Sequence, residues 1–408
     1  PEFVFVLYAL QKIGAIAVPV GTREQGPGLT YILNQCSAAG VVFDSELADR
    51  IPAADAVPAL RLRIAIGATP VAGAHTLADL NGPAAPAVAV NEADCAVILY
   101  TSGTTGKPKG AIRSHEASTL MAYATAIDMG FTVKDKALLV MPLCHANSLY
   151  FSHTFTQLGA SCIIDDRKSF DAEALLETLS TEKVTFTSLV PTHYIMMLSL
   201  PAEIKAKYDV TAVEKLMISS APARRDTKLA IMAFFPNAKL HELYGSTEAG
   251  WVTLLRPDEQ LERMGTVGRE WAGSGPIKLL NSEGQEVKDG EVGELFSRTP
   301  YVFDGYWKNP EKTAEAFHGS WCSVGDMAMR DKDGYIHLVD RKSNMIISGG
   351  ENVYPSEVEG VLGSHPKVKD VAVLGVPHEK WGEAVHAVVV LHEQAEVSTQ
   401  ELIDWCKS

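Results

Sequence analysis

Over roughly the first two-thirds of the chain, short apolar runs alternate with segments whose apolar residues keep helical spacing. The first twenty residues are apolar, but Gln11, Lys12 and Pro19 interrupt them. A core helix followed by a strand over 15–20 is expected there rather than a membrane span. Further buried strands are predicted at 40–43, 61–66, 96–100, 184–189 and 216–219. Between the first two, Leu29, Ile32 and Leu33 mark one face of a helix, and residues 52–90, rich in Ala and Pro, read as a surface connection. Asp171 is placed to cap a helix that buries Leu175, Leu176 and Leu179, because an Asx side chain satisfies the free amides of a first turn. A strand–helix–strand rhythm of this kind predicts parallel pairing with helices on both faces, an α/β architecture.

Beyond about residue 265 the period changes. Gly284, Gly290, Gly293, Gly305 and Gly334 punctuate short alternating runs, which predict antiparallel strands in a small barrel-like subdomain. A polar, glycine-containing stretch at 340–353 precedes a helix at 356–362 and strands at 368–376 and 387–391. Ser398 and Glu401 form a capping box for a last helix.

Composition narrows the classes. A chain of 408 residues exceeds one ordinary core, so more than one domain is expected. Hydrophobic residues at 46% and charged residues at 21% exclude a mostly disordered chain. Lys and Arg total 36 against 50 Asp and Glu, a net charge of −14, which argues against a nucleic-acid partner. Cysteines at 36, 95, 144, 162, 322 and 406 include no CxxC pair and no adjacent His cluster, so neither a zinc site nor a disulfide scaffold is indicated and a reducing, cytoplasmic compartment fits.

The densest chemistry is Tyr100-Thr-Ser-Gly-Thr-Thr-Gly-Lys-Pro-Lys-Gly110, directly after a predicted strand. Gly103 and Gly106 let a ligand approach the backbone, Thr101, Ser102, Thr104 and Thr105 supply hydroxyls, and Lys107 and Lys109 supply charge. Such a loop suits polyphosphate. It is not a Walker A loop, since only two residues separate the glycines and Pro108 follows the lysine. A second motif is Tyr244-Gly-Ser-Thr-Glu-Ala-Gly250. Its aromatic ring next to glycine can stack on a purine, its Thr hydroxyl can bond a phosphate oxygen, and its carboxylate can hold Mg²⁺, which prefers hard oxygen ligands. Ser323-Val-Gly-Asp326 and Asp340-Arg341 offer an acceptor and a fixed fork of donors to ribose hydroxyls, with a cross-strand ion pair as the alternative reading.

These motifs together resemble the adenylate-forming enzymes, which include acyl-CoA synthetases, luciferases and peptide-synthetase adenylation domains, and the resemblance runs from Pro1 to Ser408. It implies a large adenylation domain over 1–342 and a small mobile α+β domain over 343–408, with a hinge at Ser343 where the family commonly has Asp or Lys. It implies nucleotide contacts from the 101–109 loop, from Ser220, Ala221 and Pro222, and from Glu242, Leu243, Tyr244, Gly245 and Ser246, with Asp326 and Arg341 on the ribose. Thr247 is assigned to the α-phosphate and Glu248 to Mg²⁺. His145, in Met141-Pro-Leu-Cys-His, corresponds to a gate beside the acid pocket, which Asn147, His193 and Ser219 are expected to share. Ser348, Gly349, Gly350 and Glu351 fall where the family binds the pantetheine arm of coenzyme A, and the paired glycines suggest a bare backbone for an extended ligand.

The implied reaction is activation of a carboxylic acid by ATP to an acyl-adenylate, followed by transfer to coenzyme A. Thr247, Glu248, Lys107 and His145 are the candidate catalytic residues, and the acid is fatty or aryl in class. Loading of a carrier-protein thiol and non-catalytic nucleotide binding are the alternatives. A homodimer is one assembly open to the chain. The family's Gly-Lys segment near the end of the small domain has no counterpart before Ser408, and the first helices are also missing, so the chain as given is expected to be impaired in adenylation and to belong to a longer gene product.

Overall fold

The computed structural model describes residues 1–80, 82, 83, 85, 87–101 and 107–407. They form two compact units. The first comprises Pro1–Met264, Glu270–Pro276 and Arg298–Cys322, and the second Gly265–Arg269, Ile277–Ser297 and Ser323–Ser408.

A central sheet organises the first unit. Strands Ser161–Ile164, Lys136–Leu139, Phe186–Leu189, Lys215–Ser219 and Lys239–Ser246 lie side by side in parallel, and Gly250–Leu255 adds antiparallel to the last. Successive side chains on a strand face opposite ways, so one sheet feeds two cores. Ala137, Leu139, Phe186, Met217 and Leu243 pack with Met121, Leu149, Phe151 and Phe155 of helices His115–Met129 and Ala146–Leu158. Leu138, Leu189, Leu216, Ile218 and Leu240 pack on the other face with Leu175, Leu176, Leu179, Tyr194, Met197 and Ile231. This is the expected doubly wound arrangement. Asp171 caps its helix as expected, accepting from the Glu173 and Ala174 amides.

A second sheet pairs Cys95–Thr101 with Lys109–Ser114 antiparallel, and Gly305–Tyr306 joins the outer side of the latter. Helix Glu2–Lys12 forms as expected, but residues 15–20 do not make the expected strand. Only Ala17 bridges to Val97, because the chain turns at Gly14 and Pro19 has no amide to extend a ladder.

The antiparallel strands of the second unit form an open four-stranded sheet, Lys278–Leu280, Val292–Phe296, Asp326–Arg330 and Ile336–Arg341 in that order. Residues 323–342, expected with the large domain, group with 343–408 in this unit. Another sheet, in the order Glu351–Val353, Ile346–Ser348, Gly382–Leu391, Val368–His378, packs Ile346 and Val373 against Leu362 of helix Pro355–Gly363. The capping box at the last helix is half made. Ser398 Oγ accepts from the Glu401 amide at 3.1 Å, but the Glu401 carboxylate takes Lys367 at 2.9 Å instead of returning to Ser398.

Two buried histidines link this core to pH. Burial pushes both the His153 and the His241 imidazole down to about 4, and the nearby Arg113 and His115 charges add to the effect at His153. Between that value and the ordinary 6.5 the unfolded chain binds more protons than the folded one, so stability is complete above 6.5 and is lost as pH falls towards 4. The urea midpoint is therefore expected to drop on moving from neutral to acidic buffer. The slope should flatten in His153→Gln and His241→Gln; an unchanged slope in the double variant would refute the assignment.

Candidate active site

The two richest motifs converge in the first unit on one carboxylate. Lys239–Ser246 and Gly250–Leu255 form a tight hairpin, with Gly245 opposite Trp251 and Ser246 opposite Gly250. A Cβ at Gly245 would collide with the Gly250 carbonyl oxygen, and one at Gly250 would lie 2.5 Å from Met121 Cε. The motif's glycines are thus steric requirements of the turn, which Ser246 Oγ closes by accepting from the Ala249 amide at 2.9 Å.

That turn presents Glu248, only 7% exposed. Its Oε1 accepts from the Tyr306 hydroxyl at 2.7 Å and lies 3.5 Å from Thr101 Oγ1. Burial, and then the Glu248 charge, push the Tyr306 phenol up, so it stays a donor. Lys109 Nζ sits 4.3 Å from the centre of the same ring. Thr101 and Lys109 are cross-strand partners at the mouth of the phosphate-loop hairpin, so the loop is rooted beside Glu248. Lys107 is exposed, 5.8 Å from the Tyr31 ring centre. Ser102, Gly103, Thr104, Thr105 and Gly106 lie outside the described residues.

Among the described residues, no group of three or more His, Cys, Asp or Glu side chains could hold a metal by itself. A lone buried carboxylate beside a phosphate loop nevertheless fits Mg²⁺, which is held by one or two carboxylates with substrate phosphates and water completing its shell.

Asn147 and Ser219 are brought together as expected. Asn147 Nδ2 donates to Ser219 Oγ at 2.8 Å and to Ser188 Oγ at 2.9 Å, all three residues being buried. Asn147 Oδ1 is buried without a partner. His193 is instead stacked on Phe170, with ring centres 4.0 Å apart, and burial pushes its imidazole down. His145 is exposed at the N-terminal end of helix Ala146–Leu158. Ser220 adopts a left-handed backbone (φ +69°), a strained conformation for a residue with a Cβ, and it is exposed together with Ala221 and Pro222.

The structure corrects two placements at this site. The side chains of Glu242 and Leu243 point into the protein, so any nucleotide contact from them must come from backbone. Glu242 pairs with Lys228 at 2.5 Å, both buried, and Leu243 belongs to the core. Trp251, two residues beyond Ala249, is likewise core, its indole N–H bonding Thr125 Oγ1 at 2.8 Å.

In the second unit, Asp326 and Arg341 face each other across strands, with Arg341 Nε 3.3 Å from Asp326 Oδ1. Ser343 is exposed in the turn after Arg341. Gly349 and Gly350, with φ +62° and +90°, close a two-residue hairpin that pairs Ser348 with Glu351.

Sequence reasoning missed Tyr306, Ser188 and Arg113. Nothing local marks the first two, since Tyr306 meets Glu248 across 58 positions. Arg113 had a signal, an arginine two residues from Ala111 on the inward face of a strand. It is 1% exposed and donates to the Tyr301 and Thr247 carbonyls, the latter at 2.6 Å.

With this geometry in hand, the similarities are specific. The family model described as AMP-binding enzyme matches residues 1–307, and that of the AMP-binding enzyme C-terminal domain matches 357–408. A feruloyl-CoA synthase of Amycolatopsis sp. is 34% identical over 100% of this chain and 80% of its own length. The long-chain-fatty-acid–CoA ligase FadD13 of Mycobacterium tuberculosis is 33% identical over 99% of this chain and 79% of its own. Among solved structures, ATP-bound MatB from Rhodopseudomonas palustris superposes with a TM-score of 0.84 at 29% identity, covering 100% of this chain and 79% of that one.

Gly245→Ala should break the turn, since no flexible side chain lies in the way, only the Gly250 backbone. A loss of about 1–3 kcal/mol is expected in denaturant unfolding, the usual cost of forcing atoms into a packed site; a midpoint equal to that of the parent chain would count against the steric reading.

Proposed function

The chain belongs to the family of AMP-binding enzymes, and we propose that it is an acyl-CoA ligase that activates a carboxylic acid with ATP and passes the acyl group to coenzyme A. The observation that carries this reading is the convergence of the phosphate-loop ends, Thr101 and Lys109, on Glu248 and its partner Tyr306. The acid is of fatty or aryl class. The two named relatives act on acids of both kinds, a feruloyl group and a long-chain fatty acid. Six free cysteines agree with a cytoplasmic setting, and among the described residues no helix is long and apolar enough to cross a membrane.

The chemistry explains why such a site is built. A carboxylate is a poor acyl donor because oxide would have to leave. In the first half-reaction an acid oxygen attacks the α-phosphorus, forming a P–O bond as the bond to pyrophosphate breaks. In the second, a thiolate attacks the acyl carbon and AMP leaves. Negative charge grows on phosphoryl oxygens in the first step, so donors already in place lower the barrier. Thr247 supplies a hydroxyl to the α-phosphate, while Lys107 and Lys109 bring positive charge to the loop. Glu248 would hold Mg²⁺, and the ion when bound would offset charge on the phosphates. Tyr306 fixes the carboxylate by its 2.7 Å hydrogen bond.

His145, Asn147 and Ser219 are assigned to the acid, and Tyr244 and the Ser220–Pro222 strip to adenine. In the second unit Asp326 and Arg341 supply an acceptor and a donor fork suited to ribose hydroxyls, Ser348–Glu351 is assigned to coenzyme A, and Ser343 to a pivot.

Glu248→Gln removes a charge and preserves the shape. ATP–pyrophosphate exchange in the full-length gene product should fall by about 10²–10³, the effect of losing one preorganised electrostatic element. A near-parental exchange rate would overturn the assignment of Glu248. Asp326→Ala should raise the KM for ATP with little change in kcat, and an unaltered KM would remove Asp326 from the nucleotide site.

A further inference from the structure

Arg113 is the most buried cation near the proposed site, and its environment is unusual. Among the described residues no carboxylate forms an ion pair with it. Its guanidinium instead donates to three backbone carbonyls, those of Tyr301, Thr247 at 2.6 Å and Glu248 at 3.5 Å. One face of the group lies on the Tyr150 ring, 4.9 Å from its centre. A buried charge with no carboxylate in contact is costly, and here fixed dipoles, with the more distant Asp304 carboxyl that feels the Arg113 charge, stand in for water. Here two of the three carbonyls belong to Thr247 and Glu248, the residues assigned to phosphate and metal, and the third to Tyr301.

We propose that Arg113 is a positioning residue for nucleotide activation: it clamps the Thr247 carbonyl inward at 2.6 Å, beside the Glu248 carbonyl that the Phe303 amide holds at 2.8 Å, and so sets the outward aim of this segment. The inference rests on the reading of Thr247 and Glu248 given above. Among the described residues no peptide bond is cis. In a trans peptide the N–H points opposite to the carbonyl. Holding the Thr247 carbonyl against the guanidinium therefore turns the Glu248 N–H away from it. The Ala249 amide is already committed to Ser246 Oγ at 2.9 Å, which fixes the other side of the turn. Tyr306 then holds the carboxylate end of Glu248, so backbone and side chain are fixed by separate residues. Arginine is needed because a planar fork reaches several acceptors at once, whereas a lysine ammonium on the same strand would act as a point charge.

The test uses Arg113→Lys, Arg113→Met, Glu248→Gln and the Arg113→Lys/Glu248→Gln double variant of the full-length gene product. Two measurements are made: Mn²⁺ affinity in the presence of ATP by electron paramagnetic resonance, and KM and kcat in pyrophosphate exchange. Loss of an outer-shell partner should weaken Mn²⁺ binding by about 10-fold to 100-fold in Arg113→Met and by less in Arg113→Lys. The KM for the acid should stay close to that of the parent enzyme. In the Glu248→Gln background Arg113→Lys should add little, because its effect on the metal passes through Glu248. If Arg113→Met does not fold, Arg113→Lys and the double variant carry the comparison. Full additivity of the two substitutions overturns the inference. So does parental Mn²⁺ affinity in the Arg113 variants when Glu248→Gln has lost it. If Glu248→Gln itself binds Mn²⁺ as the parent does, the metal role of Glu248 falls, and the Arg113 inference falls with it.

Discussion

The constraint on which the rest of this molecule depends is the burial of its central sheet on both faces. Once helices cover both sides of a parallel sheet, side chains in the middle of a strand are buried away from ligands. Chemistry is then confined to the segments just beyond the carboxyl ends of the strands. The candidate residues obey this. His145 and Asn147 come after Lys136–Leu139, Ser188 and His193 lie at or just past the end of Phe186–Leu189, and Ser219–Pro222 close Lys215–Ser219. Tyr244–Glu248 end Lys239–Ser246. Four strands thus place candidate residues at one end of the sheet, and Thr101 and Lys109, at the ends of the neighbouring Cys95–Thr101/Lys109–Ser114 hairpin, lie beside Glu248 and its partner Tyr306.

The site is held by neutral partners as much as by charge. Glu248 is fixed by a phenol, Arg113 by carbonyls, and Asn147 by two serine hydroxyls. Full ion pairs in the first unit are found elsewhere on the central sheet, at Lys228–Glu242 and Lys215–Asp135. Among the described residues neither Glu248 nor Arg113 forms a contact ion pair, so their fields are not cancelled at contact, whereas Asp326 and Arg341 of the second unit do pair. Such preorganised fields stabilise charge that develops during a reaction.

Much of the fold was legible in sequence because strand and helix periods are local properties. The helix capped by Asp171 and the strands at 95–101 and 215–219 are set by patterns a few residues long. Where the reading failed, a tertiary fact decided the outcome. The apolar run at 15–20 looks like a strand, but Pro19 cannot contribute to a ladder and only Ala17 pairs. Glu401 has the right spacing for a capping box, but its carboxylate is taken by Lys367, a partner 34 positions away. The motif residues of the site were visible as strings. Their partner Tyr306 was not, because a hydrogen bond across 58 positions leaves no local trace, and Arg113 showed only as an arginine on the inward face of a strand, with no hint of its partner 134 positions away.

The third strand of the small sheet, Gly305–Tyr306, bears on how the protein is made. The central sheet can grow in order during synthesis, since from Phe186–Leu189 onward each new strand docks beside the one before it. The phosphate-loop hairpin is translated early, yet it gains its outer neighbour, and Glu248 its phenol, only after residue 306 has left the ribosome. Contacts of such long sequence separation form late, since the intervening chain must first be ordered. A nascent chain arrested before that point can bury most of its core while the proposed site around Glu248 is still unassembled.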